Sequence, residues 1–213
     1  MTAEVGLLAE LQWQPVIYLP VNLTVRLDAA ALKSDNPRQW SEQKAAELLG
    51  PNARGRQVSS LARCLKQYVE YFRKGNLPAT AALFFYPDFT RIPPRAEVQI
   101  YLVGEGPVVG PMTLARAREI YGPDERSFGE TEMTETEVPT GPALRVYRFR
   151  KLEPSKRRSR TAGELAWVIC PPDSTQAVMM ITTWSESAFS EAAISIADDI
   201  AQNFRIEPNR SEG

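Results

Sequence analysis

The run GETEMTETEV at residues 129–138 places Glu130, Glu132, Glu135 and Glu137 close together. On a strand, carboxylates two positions apart share a face, which is the arrangement a hard divalent cation needs. The run ALRVYRFRK at 143–151 supplies Arg145, Arg148, Arg150 and Lys151 on the next expected strand. Cross-strand charge pairing accounts for both sets together and discourages edge-to-edge association, so it is preferred to a metal site. Paired carboxylates of this kind also serve glycoside hydrolysis, but nothing in the spacing selects two of them.

Other chemistries are narrowed by absence. The 213 residues contain no histidine, which removes Ser-His-Asp and Cys-His nucleophiles, His-ligated metals and imidazole pH switches. Ser59, Ser60, Ser185 and Ser187 have no such base, and no helical SxxK offers a lysine instead. Cys64 and Cys170 are too far apart for a metal knuckle. Reduced, buried thiols are expected, with Cys64 on a helix face that faces the core.

The most tempting phosphate motif is GEGPVVGP, with Gly104, Gly106 and Gly110 between an expected strand and an expected helix. A dinucleotide loop aims backbone N–H groups and a helix N-terminus at pyrophosphate. Here Pro107 and Pro111 remove donors, Glu105 adds a repelling charge, and the spacing is GxGxxxG. It is read as an ordinary connection, and no cofactor is expected.

Two loops are candidates for contact with a partner. The segment YPDFTRIPPR at 86–95 combines Tyr86, Phe89, Arg91 and Arg95 with three prolines. Aromatics and arginine dominate interface hot spots, and prolines lower the cost of ordering a projecting loop. Phe89 can equally fold back over the sheet as an anchor. The segment KLEPSKRRSR at 151–160 gathers Lys156, Arg157 and Arg158 between strands. Such a loop can meet an acidic surface or grip phosphates, although it lacks the interleaved aromatics of single-strand binders. Nucleic acid is therefore only a third reading. Net charge of -1 supplies no global field toward a polyanion.

The elements that must position these residues are punctuated clearly. Trp13 to Leu27 reads as a strand interrupted by Pro15 and Pro20, or an edge strand. Asn36-Pro37 and Gly50-Pro51 bracket a helix over 37–49. Leu61, Leu65, Tyr68 and Phe72 recur on one face of a second helix over 57–74. Strands over 79–86 and 96–103, separated by the long loop, suggest an antiparallel pair, and a short helix covers 113–121. Four strands follow, over 129–138, 143–152, 164–170 and 177–184, as a meander. Phe189, Ala193, Ile196, Ile200 and Phe204 then mark an amphipathic helix that must lie on the sheet, with Asp198 and Asp199 turned to water. The class is α+β: an antiparallel meander packed by helices on one or both faces. Residues 13–206 form one domain, between a flexible N-terminus at 1–12 and a flexible tail at 207–213.

The cadence VPTGPALRVYRF, ELAWVICPPDSTQAVMMITTW, AFSEAAISIADDIAQNFRIEP resembles actinobacterial proteins whose meander and terminal helix are similar to the fold of PsbP-like photosystem extrinsic proteins and related mycobacterial lipoproteins. The resemblance implies a mainly non-catalytic binding or assembly role, and it carries no site residue across. The expected function is recognition of a protein partner or small ligand through surface loops. The alternative is a small enzyme or ligand-processing domain with an apolar pocket and carboxylates as acid and base. A monomer or homodimer is expected. Glu4 and Glu10 break the pattern of a secretory leader, and no apolar run approaches about 18 residues, so the expected address is cytoplasmic unless export is leaderless.

Overall fold

The computed structural model describes residues 13–17, 24–27, 35–74, 81–86, 88–90, 93–103, 111–152, 160–172 and 174–208. In chain order the elements are β1 (Trp13–Ile17), β2 (Thr24–Leu27), α1 (Pro37–Leu49), α2 (Gly55–Lys74), β3 (Ala81–Phe85), β4 (Ala96–Val103), α3 (Leu114–Tyr121), β5 (Ser127–Val138), β6 (Gly141–Leu152), β7 (Arg160–Ile169), β8 (Ala177–Trp184), α4 (Ser190–Asn203) and β9 (Phe204–Pro208). Seven strands form one sheet in the order β2-β3-β4-β8-β7-β6-β5, every neighbouring pair antiparallel. Two meanders, β2 to β4 and β5 to β8, are thus fused where β4 pairs with β8. The fold is α+β, with α4 packed on the sheet.

Alternation along the strands decides the layers. Ala82, Phe84 and Tyr86 point to one face, where Leu61, Leu65, Val69 and Phe72 of α2 cover them and α1 adds Ala45, Trp40 and Leu48. Asn36 caps α1 by accepting from the Gln39 amide at 3.1 Å, and Gly50, at φ +74°, supplies the left-handed residue that ends it. Leu83 and Phe85 point to the other face, into the cluster closed by α4. There Ala193, Ala197 and Ala201 allow close approach to Leu165, Trp167, Ile169, Val178 and Met180. The short helix α3 covers Leu144, Val146, Ala166, Val168 and Met179. Tyr101, opposite Met179 in register, touches both the α2 cluster and the α3 cluster, so these helices share a face.

Four expectations are corrected. The segment 13–27 is two separate strands, not one interrupted strand: β1 pairs with β9, and β2 is an edge of the large sheet. The chain after α4 does not turn flexible at 207, because β9 continues to Pro208; Phe204 at its start is fully buried, its carbonyl accepting from Thr140 Oγ1 at 2.7 Å. Two alternations of apolar and charged residues are too short a pattern to separate a strand from a tail.

The β5 glutamates do not pair with the β6 arginines. A register shift between Phe128 and Glu132, beside Gly129 at φ +78°, sets Glu132 opposite Tyr147, Glu135 opposite Leu144 and Glu137 opposite Pro142. Glu135 pairs instead with Arg118 of α3 at 2.9 Å. Finally, Asp198 faces the sheet: it accepts from Arg145 Nε at 3.0 Å and Trp167 Nε1 at 3.1 Å. Asp199 is exposed as expected.

Candidate functional site

The helix-covered face has a gap between α2 on one side and α3 on the other. Cross-strand register lays Phe84, Glu97, Thr183, Glu164 and Arg148 in one line across β3, β4, β8, β7 and β6. Phe84 disappears under α2, while Glu97, Thr183 and Glu164 floor the gap and Arg148 lies buried at its end. Two adjoining cavities of about 620 and 820 Å3 share Tyr68, Tyr71, Pro93, Glu97 and Thr183, and together they make one open groove. Its α2 wall consists of Ser60, Arg63, Cys64, Gln67, Tyr68 and Tyr71. Tyr68 and Tyr71 lie three positions apart on α2, a spacing that puts both on one side of a helix; Tyr71 is 63% exposed.

The β4 end of the groove is built from a chain of donors. Tyr101 Oη donates to Gln99 Oε1, and Gln99 Nε2 donates to Glu97 Oε1. Burial pushes the Glu97 carboxyl above its ordinary range, and the Gln99 amide opposes that shift. Burial, with Tyr71 and Glu97 nearby, pushes Tyr101 up to about 12. Tyr68 and Tyr86 are raised further, again mainly by burial, so these phenols stay protonated donors at neutral pH. Cys64 Sγ lies 3.7 Å from Tyr86 Oη, and burial raises the thiol despite that contact. A thiol held protonated is a poor nucleophile.

The β6 end is cationic and tightly cross-linked. Arg148 and Glu164, 4% and 6% exposed, pair at 2.7 Å, while Arg148 Nη1 also donates to the carbonyls of Tyr121 and Gly122 at 3.2 and 2.9 Å. Arg148 thereby holds the end of α3 to the sheet. Arg150 bridges Glu164 at 3.3 Å and Asp124 at 2.8 Å. Arg126 and Lys151 complete this end of the wall.

The loop residues singled out from sequence divide. Tyr86 is fully buried and packs on Phe89 with ring centres 5.5 Å apart, so Tyr86 is a core residue and not a partner contact. Phe89 is half-buried against the α2 cluster and anchors the loop. An Asp88 turn, accepting from the Thr90 amide at 2.8 Å, supports the same fold-back. Arg95 does line the groove, held by an ion pair with Glu186 and by its own amide on the Phe85 carbonyl at 2.8 Å. Arg91, Lys156, Arg157 and Arg158, and the glycine loop 104–110, lie outside the described residues.

Sequence reasoning missed Glu97, Tyr68, Tyr71 and Thr183 as members of one site. A signal existed in AEVQIYLV, where Glu97 and Gln99 put two polar groups on one face of an otherwise apolar strand. Among the described residues no cluster of three or more acidic or cysteine ligands is positioned for a metal ion. None of the helices among them is long and apolar enough to cross a membrane. No protein-family model and no curated protein matches this sequence.

Proposed function

We propose that this chain is a non-catalytic binding domain whose ligand is a small organic molecule seated in the groove between α2 and the sheet. One observation carries the reading: the half-buried Glu97 carboxylate faces an open groove, bonded among the described residues only to Gln99. A buried carboxylate without a cation is costly unless something supplies a donor. Exposed Tyr71 beside it is the kind of aromatic surface that a bound ligand covers. The resemblance to PsbP-like proteins points toward binding as well. Arg95 links this site to the 86–95 loop, so the Arg91 and 156–158 loops belong to the proposal as secondary contacts for a protein partner. A cytoplasmic address and a monomeric or homodimeric state belong to it too.

A specific observation also favours acid–base hydrolysis, since Glu97 and Glu164 stand in one line with only Thr183 between them. Binding is preferred because Glu164 is 6% exposed and both its oxygens accept from arginine, which leaves none facing a reacting water. Native mass spectrometry of the full chain, purified gently from its own host, tests the proposal. A small-molecule mass retained by the wild type and lost from Tyr71→Ala supports it. Retention that Tyr71→Ala leaves unchanged moves the ligand elsewhere and refutes it.

A further inference from the structure

The groove is polar in the electrical sense, and its two ends differ. At the β4 end Tyr101 and Gln99 spend their donors inward along the chain to Glu97. What that end offers a ligand is a carboxylate oxygen, an acceptor. Among the described residues Glu97 has no ion-pair partner, whereas Arg95 is neutralised by Glu186. At the other end Arg150, Arg126 and Lys151 line the wall. Arg150 is shared between two carboxylates, but Lys151 is exposed and makes no ion pair among the described residues. In the order β4-β8-β7-β6 the two ends are three strands apart, and Arg150 and Lys151 lie two and three residues along β6 from the position level with Glu97, a Cα separation of about 16–18 Å. Long side chains from both ends narrow that gap to the span of a small molecule. Between them the wall is flat and apolar or aromatic: Tyr68 and Tyr71 on α2, Pro93 and Pro94 from the loop.

Resting on the ligand-binding reading above, we infer that the groove is built for a small zwitterion with a flat body, its ammonium group on Glu97 and its acidic group toward Lys151 and Arg150. Each part has a physical reason. An ammonium supplies the donors that Glu97 lacks, in a charge-assisted bond. The faces of Tyr68 and Tyr71 attract a nearby cation and stack on a planar body. An acidic group balances the cationic end, so a ligand carrying both charges exploits the whole groove. A simple organic cation would meet Arg150, Arg126 and Lys151 with the wrong sign, and a simple anion would meet Glu97.

The probe series is 4-(aminomethyl)benzoate, benzylamine, benzoate and uncharged benzyl alcohol, titrated at millimolar concentration into the full chain and followed by amide chemical shifts. The zwitterion is expected to bind about tenfold or more tighter than either half, the size of one charge-assisted contact. Glu97→Gln, which keeps the Gln99 bond, should remove that advantage over benzoate. Lys151→Glu, an exposed change that spares the fold, should remove the advantage over benzylamine. If benzoate binds best and Glu97→Gln leaves it so, Glu97 acts as a neutral donor and the zwitterion inference fails. If benzyl alcohol binds in the groove as well as the charged probes, the inference fails while the ligand-binding reading stands. If none of the four shifts groove residues, both fail.

Discussion

The buried ion pair between Arg148 and Glu164 is the structural support of the groove floor, and its strength can be worked out. Glu164→Gln keeps the shape of the side chain but removes the charge opposite Arg148, which is 4% exposed and bonded to Glu164 at 2.7 Å. Removing one partner of a buried pair costs about 3–5 kcal/mol, because the other charge is left uncompensated. The Arg150 contact at 3.3 Å is lost as well, but Arg150 keeps Asp124 and is less buried, so it adds little. We expect about 3–4 kcal/mol from Glu164→Gln.

Arg148→Met costs about 2–3 kcal/mol by leaving Glu164 only its longer 3.3 Å contact with Arg150, plus about 1 kcal/mol for each of the Tyr121 and Gly122 carbonyl bonds it abandons. If the two changes were independent, the double variant would lose roughly 7–9 kcal/mol. If the pair is the real unit, Arg148→Met combined with the same Glu164→Gln change strands no charge and loses only about 1–3 kcal/mol, chiefly the two carbonyl bonds. Urea unfolding of the wild type, both single variants and the double variant, followed by circular dichroism, measures the cycle. Moderate salt should change the result little, since buried pairs are poorly screened. Additive losses, or single variants costing under about 1 kcal/mol, would refute the reasoning.

Other substitutions probe the remaining parts of the fold. A Cβ at Gly163 would lie 2.2–2.6 Å from the Trp184 indole, which is itself bonded to Ser190 at 2.8 Å and stacked on Tyr147. Gly163→Ala should therefore cost about 2–4 kcal/mol by denaturation, and the loss should shrink when Trp184 is also cut to Ala; a neutral Gly163→Ala would contradict the packing. Because burial raises the folded Glu97 pKa, the stability linked to its protonation is fully present below its unfolded pKa near 4.5 and fades as pH rises through the folded value. Glu97→Gln should gain stability relative to wild type as pH rises above the unfolded value, and a flat or opposite pH trend in paired melts would contradict the sign assigned here. Cys64 is 8% exposed and its thiol is raised by burial, whereas Cys170 is less buried. Iodoacetamide should label Cys170 first in the native chain, as mass spectrometry of the peptides would report.

The legible features of the sequence were those with local causes. Asn36, Pro37 and Gly50 bound α1 through capping and backbone geometry, and the Leu61 to Phe72 spacing marks the buried side of α2. The meander from β5 to β8 followed from alternation and turn residues, and the amphipathic α4 from its apolar stripe. What escaped depends on contacts distant in sequence. Nothing local says that β4 pairs with β8, yet that pairing sets Glu97 beside Thr183 and creates the groove. Asp198 reads as solvent-facing because the groups that claim it, Arg145 and Trp167, are far away in the chain. The aromatic loop was noticed for its composition, and the structure places its Tyr86 in the core and its Phe89 against the core. The irregularity beside Gly129 defeated the expected charge ladder, since β5 advances two residues more than β6 there and every later cross-strand partner changes.

The proposed ligand site is the open groove over Glu97. Amide chemical-shift mapping of the full chain against a library of small aromatic fragments tests it most directly. Saturable shifts are expected to concentrate at Tyr68, Tyr71, Glu97, Gln99 and Thr183, which line that groove. Shifts concentrated instead on the opposite face, around the exposed Phe128 and Phe149, would contradict it.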